Sequence, residues 1–200
     1  MDDRRHVHVA IIGSGFAGLG TAIRLRRRGE RDFLVFERAA DLGGTWRDNT
    51  YPGCACDVQS VLYSFSFAPK ADWSRSYSSQ PEILAYLRET AEREGVLPHV
   101  RFGHEVLDAA WDDDGARWTL ETSQGRFTAD VLVAGFGPLS EPKLPELPGL
   151  ASFEGEAFHS ARWNHAYDLS GKRVAVIGTG ASAIQFVPQI QPRVGKLHLF

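Results

Sequence analysis

Cysteine is almost absent: Cys54 and Cys56 are the only two in 200 residues. A C-x-C pair is neither the C-x-x-C redox motif nor half of a zinc site without further ligands, so both thiols are expected to be reduced and no metal is expected. Long apolar runs are missing as well. No stretch approaches the roughly 18–20 apolar residues of a membrane span, and Met1 to His8 is too charged for a secretory leader. Charge of one sign is not in excess either, because a net charge of −3 and a pI near 6.2 supply no basic field for nucleic acid. These absences lead to the expectation of a cytoplasmic protein with no nucleic-acid and no membrane partner. The histidines are scattered, and no Ser-His-Asp arrangement suggests a hydrolase.

What is present is a 43% apolar composition, enough for a real core, and one strongly organised stretch from Val7 to Glu37. Val7, Val9, Ala10, Ile11 and Ile12 make the short apolar run of a buried parallel strand. Gly13, Gly15 and Gly18 follow in GSGFAG. The first glycine allows a tight turn, the second lets backbone N–H groups, including those of Phe16 and Ala17, approach a pyrophosphate, and the third lets the helix pack on the strand. The helix runs to about Arg28 and ends at Gly29; its N-terminus directs partial positive charge at an anion over the glycines. Phe33 to Phe36 reads as a second strand. Glu37 stands 24 residues after Gly13, where a ribose hydroxyl needs an acceptor. An acid there argues against a 2′-phosphate, so FAD or NAD fits and NADP does not.

Asp41 to Pro69 is long, aromatic and without clear periodicity, the kind of loop that carries function. Gln80 or Pro81 opens a helix that stops at Gly95. Short strands then alternate over 101–102, 106–112, 117–122 and 126–128 as a β-meander, and Val131 to Ala134 is expected to be a further buried parallel strand. Four of the ten prolines fall in 138–148 and mark a stiff connector. Beyond it the unit repeats: strand Arg173–Ile177, glycine turn GTGASA (Gly178, Thr179, Gly180, Ala181, Ser182, Ala183), helix to about Ile190, strand Lys196–Phe200. The expected class is α/β, a Rossmann-like FAD/NAD(P)-binding fold: a doubly wound parallel sheet with an inserted β-meander and two dinucleotide-binding units, the second truncated. The expected division is 1–140 as the FAD-binding domain, 141–170 as the interdomain linker and 171–200 as the start of an NADP-binding domain.

Between the two turns, Gly43, Gly44, Thr45, Trp46, Tyr51, Pro52, Gly53 and Asp57 resemble, position for position, the extended Baeyer–Villiger monooxygenase pattern [AG]-G-x-W-x(4)-[FY]-P-[GM]-x(3)-D. Phe153, Gly155, His159 and Trp163 resemble that family's F-x-G-x(3)-H-x(3)-W fingerprint, with Asn164 where the family usually has Pro or Asp. Related flavin monooxygenases and N-hydroxylases normally carry Tyr or Phe at the position of Trp163.

The resemblance implies an FAD enzyme that takes a hydride from NADPH, forms a C4a-peroxyflavin with O2 and inserts one oxygen atom into a small-molecule ketone to give an ester or lactone. It implies FAD contacts from Gly13, Gly15, Phe16, Ala17, Gly18, Glu37, Gly44, Thr45, Trp46, Asp57, Tyr63 and Val106. Nicotinamide-nucleotide contacts would come from Ala55, Cys56, His159, Trp163 and Gly178 to Ala183. Asp57 is the candidate catalytic residue, tuning a neighbouring cation and the peroxide, while His159 and Trp163 would couple nicotinamide binding to domain motion. By count, the counterpart of Glu37 in the second unit falls at position 202, beyond Phe200, so the chain is expected to be an N-terminal portion whose remaining C-terminal part completes the protein. The alternatives are an N- or S-oxygenating flavin monooxygenase and a truncated, non-catalytic FAD-binding fragment.

Overall fold

A computed structural model describes residues 5–200, which fall into two compact units: 5–47 with 84–140, and 48–83 with 141–200. The chain passes from one to the other three times, after Arg47, after Ile83 and after Ser140. Among the described residues no helix is long and apolar enough to cross a membrane.

The first unit is a six-stranded sheet in the order β3-β2-β1-β6-β5-β4. Its strands are β1 (His6–Ile12), β2 (Phe33–Glu37), β3 (Val100–Phe102), β4 (Val106–Asp112), β5 (Arg117–Thr122) and β6 (Gly125–Ala134). β1 pairs in parallel with β2 and with β6, and β2 in parallel with β3, whereas β4, β5 and β6 form an antiparallel meander. The central strands are the apolar ones: every residue of β2 is buried, as are Val9, Ala10 and Ile11 of β1. A core of Val7, Ala10, Leu34, Phe36, Leu120, Phe127 and Ala129 joins the parallel half of the sheet to the meander. Helix α1 (Phe16–Arg27) buries Leu19, Ala22 and Ile23, and Arg27 on its outer side pairs with Glu94 at 2.7 Å.

One expectation is corrected here. The segments 126–128 and 131–134 are a single ten-residue strand, β6. Its first half continues the meander, with Leu120 opposite Phe127, while the strand as a whole runs parallel to β1, with Ile11 opposite Val133. Exposed Asp130 interrupts the apolar pattern without interrupting the ladder, because its side chain points to His8 (3.0 Å) on the adjacent strand.

The second unit is held by loops as much as by elements. The stretch 48–83 has little regular structure beyond a 3-10 turn, Ser60–Leu62. It is fixed by long-range main-chain bonds: Cys56 N–H to Ser78 O (2.9 Å), Gln80 N–H to Cys54 O (2.9 Å) and Ser60 N–H to Ser76 O (2.8 Å). The buried Ser60 and Ser78 hydroxyls meet at 2.6 Å. Strands β7 (Arg173–Val176) and β8 (Lys196–Leu199) pair in parallel, and the helix between them (Ala181–Ile190) buries Ala183, Phe186 and Ile190. Two one-turn or longer helices bridge the unit boundaries in sequence: α2 (Thr45–Asp48) and α3 (Gln80–Arg93). The helix 181–190 is therefore α4.

Candidate dinucleotide-binding site

At the first glycine turn the backbone is packed to contact. A Cβ on Gly18 would lie 1.8 Å from the Gly13 carbonyl oxygen, so only glycine lets α1 sit on the turn. Gly13 N–H donates to Phe36 O at 2.8 Å, tying the turn to the end of β2. Glu37 then closes the loop from the other side. Its Oε2 accepts from Ser14 N–H (3.0 Å) and Ser14 Oγ (2.6 Å), and its Oε1 accepts from Ala39 N–H (3.0 Å) and pairs with Arg47 Nη1 at 2.8 Å. Glu37 is 4% exposed, so this is a buried, neutralised clamp. Four donors converge on its two oxygens, and a ribose hydroxyl would share or displace one of them.

The motif stretch 43–46 seats on the same turn. Gly43 N–H donates to Ser14 O (3.0 Å), and Gly44, with φ +52, brings its position for a Cβ within 3.2 Å of Gly15 Cα. Two glycine backbones thus face each other, and a side chain on Gly44 would fill the space between them. Trp46 is buried, Thr45 is exposed at the start of α2, and Phe16 stacks on Tyr86 at 6.2 Å. Val106, at the start of β4, packs on the core. Helix α1 begins without a side-chain cap and without an acid in its first turn. Its leading N–H groups and its positive end are therefore directed at whatever anion lies over Gly15, which fits a pyrophosphate.

The second turn repeats the arrangement. Gly178 N–H donates to Phe200 O at 2.9 Å, the same bond that Gly13 makes to Phe36. Ladder equivalence therefore matches Phe200 to Phe36, so the second unit is one residue shorter between its glycine turn and this position than the first. Helix α4 also begins uncapped and without an acid in its first turn. Thr179, Gly180 and Ala181 are exposed, and a Cβ on Gly178 or Gly180 would meet nothing within 4 Å. Gly180 corresponds to Gly15, where a Cβ would likewise meet nothing closer than 3.8 Å, so neither second glycine is demanded by the protein's own packing, and the space in front of each suits a ligand phosphate.

In the same unit, the loop 51–57 rests on α4. Tyr51 donates its hydroxyl to Gln185 Oε1 (2.8 Å), Ala55 N–H donates to the same oxygen (3.3 Å), and Gln185 Nε2 donates to Ala55 O (2.9 Å). Burial is the main cause that pushes the Tyr51 hydroxyl up to about 12, so it stays a neutral donor. Cys54 and Cys56 are free and buried, and burial raises both thiols above their ordinary value, which makes them poor nucleophiles. Asp57 is exposed at the end of this loop, and Tyr63, half-buried, follows the 3-10 turn. His159 caps the 3-10 turn Ser160–Arg162: its Nδ1 accepts from Ala161 N–H at 3.1 Å, leaving the proton of the neutral ring on Nε2. Trp163 packs on Phe158 and on Phe186 of α4, at 5.3 and 5.2 Å between ring centres. A cleft of ≈ 490 Å3 lined by Pro52, Trp163, His165, Asp168, Ile190 and Arg193 opens at the far end of α4, away from its glycine turn. Sequence reasoning missed Arg47 and Gln185. Neither lies in a glycine turn, and a half-buried Arg two positions after Thr45 or a Gln on a helix face has no periodic signature.

A strand, a glycine turn and an uncapped helix occur twice along the chain, the first closed by a buried acid, and define a dinucleotide-binding architecture of the Rossmann type. The flavin-binding monooxygenase-like family model matches residues 6–197, and the chain belongs to that family. It is 62% identical over 98% of its length to a Baeyer-Villiger monooxygenase of Streptomyces coelicolor, of which it covers 38%. It superposes with a TM-score of 0.87 on an oxidized steroid monooxygenase bound to NADP, at 43% identity, covering 98% of this chain and 38% of that one. OTEMO in complex with FAD and NADP is similar at a TM-score of 0.90 and 34% identity, covering 97% of this chain and 38% of that one. The chain thus spans a little over a third of the length of the relatives it matches.

Proposed function

We propose that the protein is an NADPH-dependent flavoprotein monooxygenase of the Baeyer–Villiger type, which uses FAD, NADPH and O2 to insert one oxygen atom into a small-molecule ketone. The observation that carries this reading is the paired cradle: a Glu37-clamped first turn and a second turn built on the same strand, glycine turn and uncapped helix, in a chain whose relatives are named Baeyer-Villiger monooxygenases. FAD, when bound, supplies the redox chemistry, taking a hydride from NADPH and delivering an oxygen atom from O2. In this reading the backbone around Gly13, Gly15, Phe16, Ala17 and Gly18 holds the FAD pyrophosphate, Glu37 its ribose, and Gly44, Thr45, Trp46, Tyr63 and Val106 further parts of it. Gly178 to Ala183 hold the NADPH pyrophosphate, with Ala55, Cys56, His159 and Trp163 beside the nicotinamide nucleotide. Asp57 sits near flavin and nicotinamide in this reading and tunes a neighbouring cation. Residues 1–140 then form the N-terminal part of the FAD-binding domain, 141–170 the linker and 171–200 the start of the NADP-binding domain.

The test is turnover by the full-length protein with matched substrates. NADPH oxidation should rise on adding a ketone, with one ester formed per NADPH consumed. Oxygenation of amines or sulfides with no ester from any ketone would move the protein to the N- or S-oxygenating class.

A further inference from the structure

We infer that Gln185 is a positioning residue that locks the Asp57-bearing loop to the helix carrying the second glycine turn, so that nucleotide binding at that turn and the action of Asp57 depend on one another. The inference rests on the reading of Gly178 to Ala183 as the nicotinamide-nucleotide turn.

Gln185 lies on the second turn of α4, and its amide is satisfied on both atoms by the loop 51–57. The oxygen takes Tyr51 Oη–H and Ala55 N–H, and the nitrogen gives to Ala55 O at 2.9 Å. Pairing N–H and C=O of one residue with a single side-chain amide imitates a strand ladder, and it fixes both the orientation of the amide and the path of the loop. The loop can come this close only because position 53 is glycine. With φ +78, a Cβ there would lie 2.8 Å from Gln185 O and from Gln189 Cγ. Tyr51 extends the contact along α4, with its ring edge-on to Phe186 at 6.0 Å and its hydroxyl beside Ser182 in the first helical turn. Ser182 belongs to the glycine turn itself, and Asp57 follows Ala55 by two residues. A displacement of the helix N-terminus is therefore passed to Asp57 through one amide and one ring. A loop that served only as a cover would not need a bidentate pairing to the helix backbone's own side chain.

The test uses the full-length, FAD-loaded protein and four variants: Gln185→Leu, Tyr51→Phe, Asp57→Ala and the double Gln185→Leu/Asp57→Ala. Gln185→Leu should keep its FAD, because the first turn lies in the other unit, and its equilibrium dissociation constant for NADP+ should rise about 10-fold, as loss of partners for the half-buried Ala55 groups implies. The rate of flavin reduction by saturating NADPH should fall in each single variant, and the double variant should be little slower than the slower single one, since residues acting through one another are not additive. Tyr51→Phe keeps the ring and removes one bond of three, so it should give a smaller change in the same direction and covers the case in which Gln185→Leu fails to fold. Independent, multiplying effects of Gln185→Leu and Asp57→Ala, or an unchanged NADP+ dissociation constant in both Gln185→Leu and Tyr51→Phe, would overturn the inference. Wild-type protein that binds no NADP+ would instead overturn the assignment of the second turn.

Discussion

Glu37 and Asp57 are both acids singled out by motif, and their surroundings assign them different work. Glu37 is buried among four donors, one of them the Arg47 guanidinium, so its removal strips Ser14 and Ala39 of their acceptor and takes the carboxylate away from Arg47, which is 16% exposed. Breaking a buried pair from one side costs about 3–5 kcal/mol. Glu37→Ala should therefore lose FAD on gel filtration and melt at lower temperature. Asp57 is exposed on its loop and holds no core together. Asp57→Ala should keep its yellow flavin and its melting temperature, while ester formation falls about 100-fold, some 2.7 kcal/mol, as for loss of a positioned charged group. Absorbance at the flavin maximum together with turnover separates the two variants. Near-normal ester formation by Asp57→Ala would make that residue a solvated loop acid.

At the scale of elements, the β1–β6 junction predicts a pH dependence. His8 is raised above 6.5, first by its hydrogen bond to Asp130, and Asp130 is lowered below 3.8, first by its bond to His8. A raised histidine stabilises the fold fully below its unfolded value and loses that contribution as pH rises through its folded value. A lowered carboxylate contributes above its unfolded value and loses it as pH falls through its folded one. The pair is therefore strongest between about 4 and 6.5. Both groups are exposed, so the gain is small: the difference in melting temperature between wild type and Asp130→Asn should be largest near pH 5.5 and vanish by pH 8.5. A difference that grows with pH would contradict it. In the core beneath, Phe36 meets Phe127 edge-to-face at 4.9 Å, and Phe36→Ala should cost about 3–5 kcal/mol in denaturant unfolding. The elements differ in how legible they were. Strand, turn, helix and second strand over Val7–Glu37 follow from local apolar runs and glycine, and so does the repeat at 173–200. The continuity of β6 was hidden, because Asp130 breaks the apolar pattern for His8, a partner on the adjacent strand β1 that lies far away in sequence. The order in 48–83 was hidden too, since it comes from main-chain bonds such as Gln80 N–H to Cys54 O that leave no periodicity. Of the site, the glycines and Glu37 were readable from spacing. Arg47 and Gln185 were not, because each is defined by what it reaches in space.

For the whole molecule, two glycine turns of the same construction match the two nucleotides of the proposed function, FAD at the first and NADPH at the second. Retention of one nucleotide and exchange of the other is the physical basis for hydride delivery to a resident flavin. The most direct test of that account supplies the full-length protein with NADPH, a ketone and 18O2 and weighs the product by mass spectrometry. The account predicts an ester or lactone heavier by one 18O atom, with the second atom in water and one NADPH consumed per product. A ketone recovered unchanged while NADPH and O2 are consumed, or product oxygen drawn from water, would contradict it.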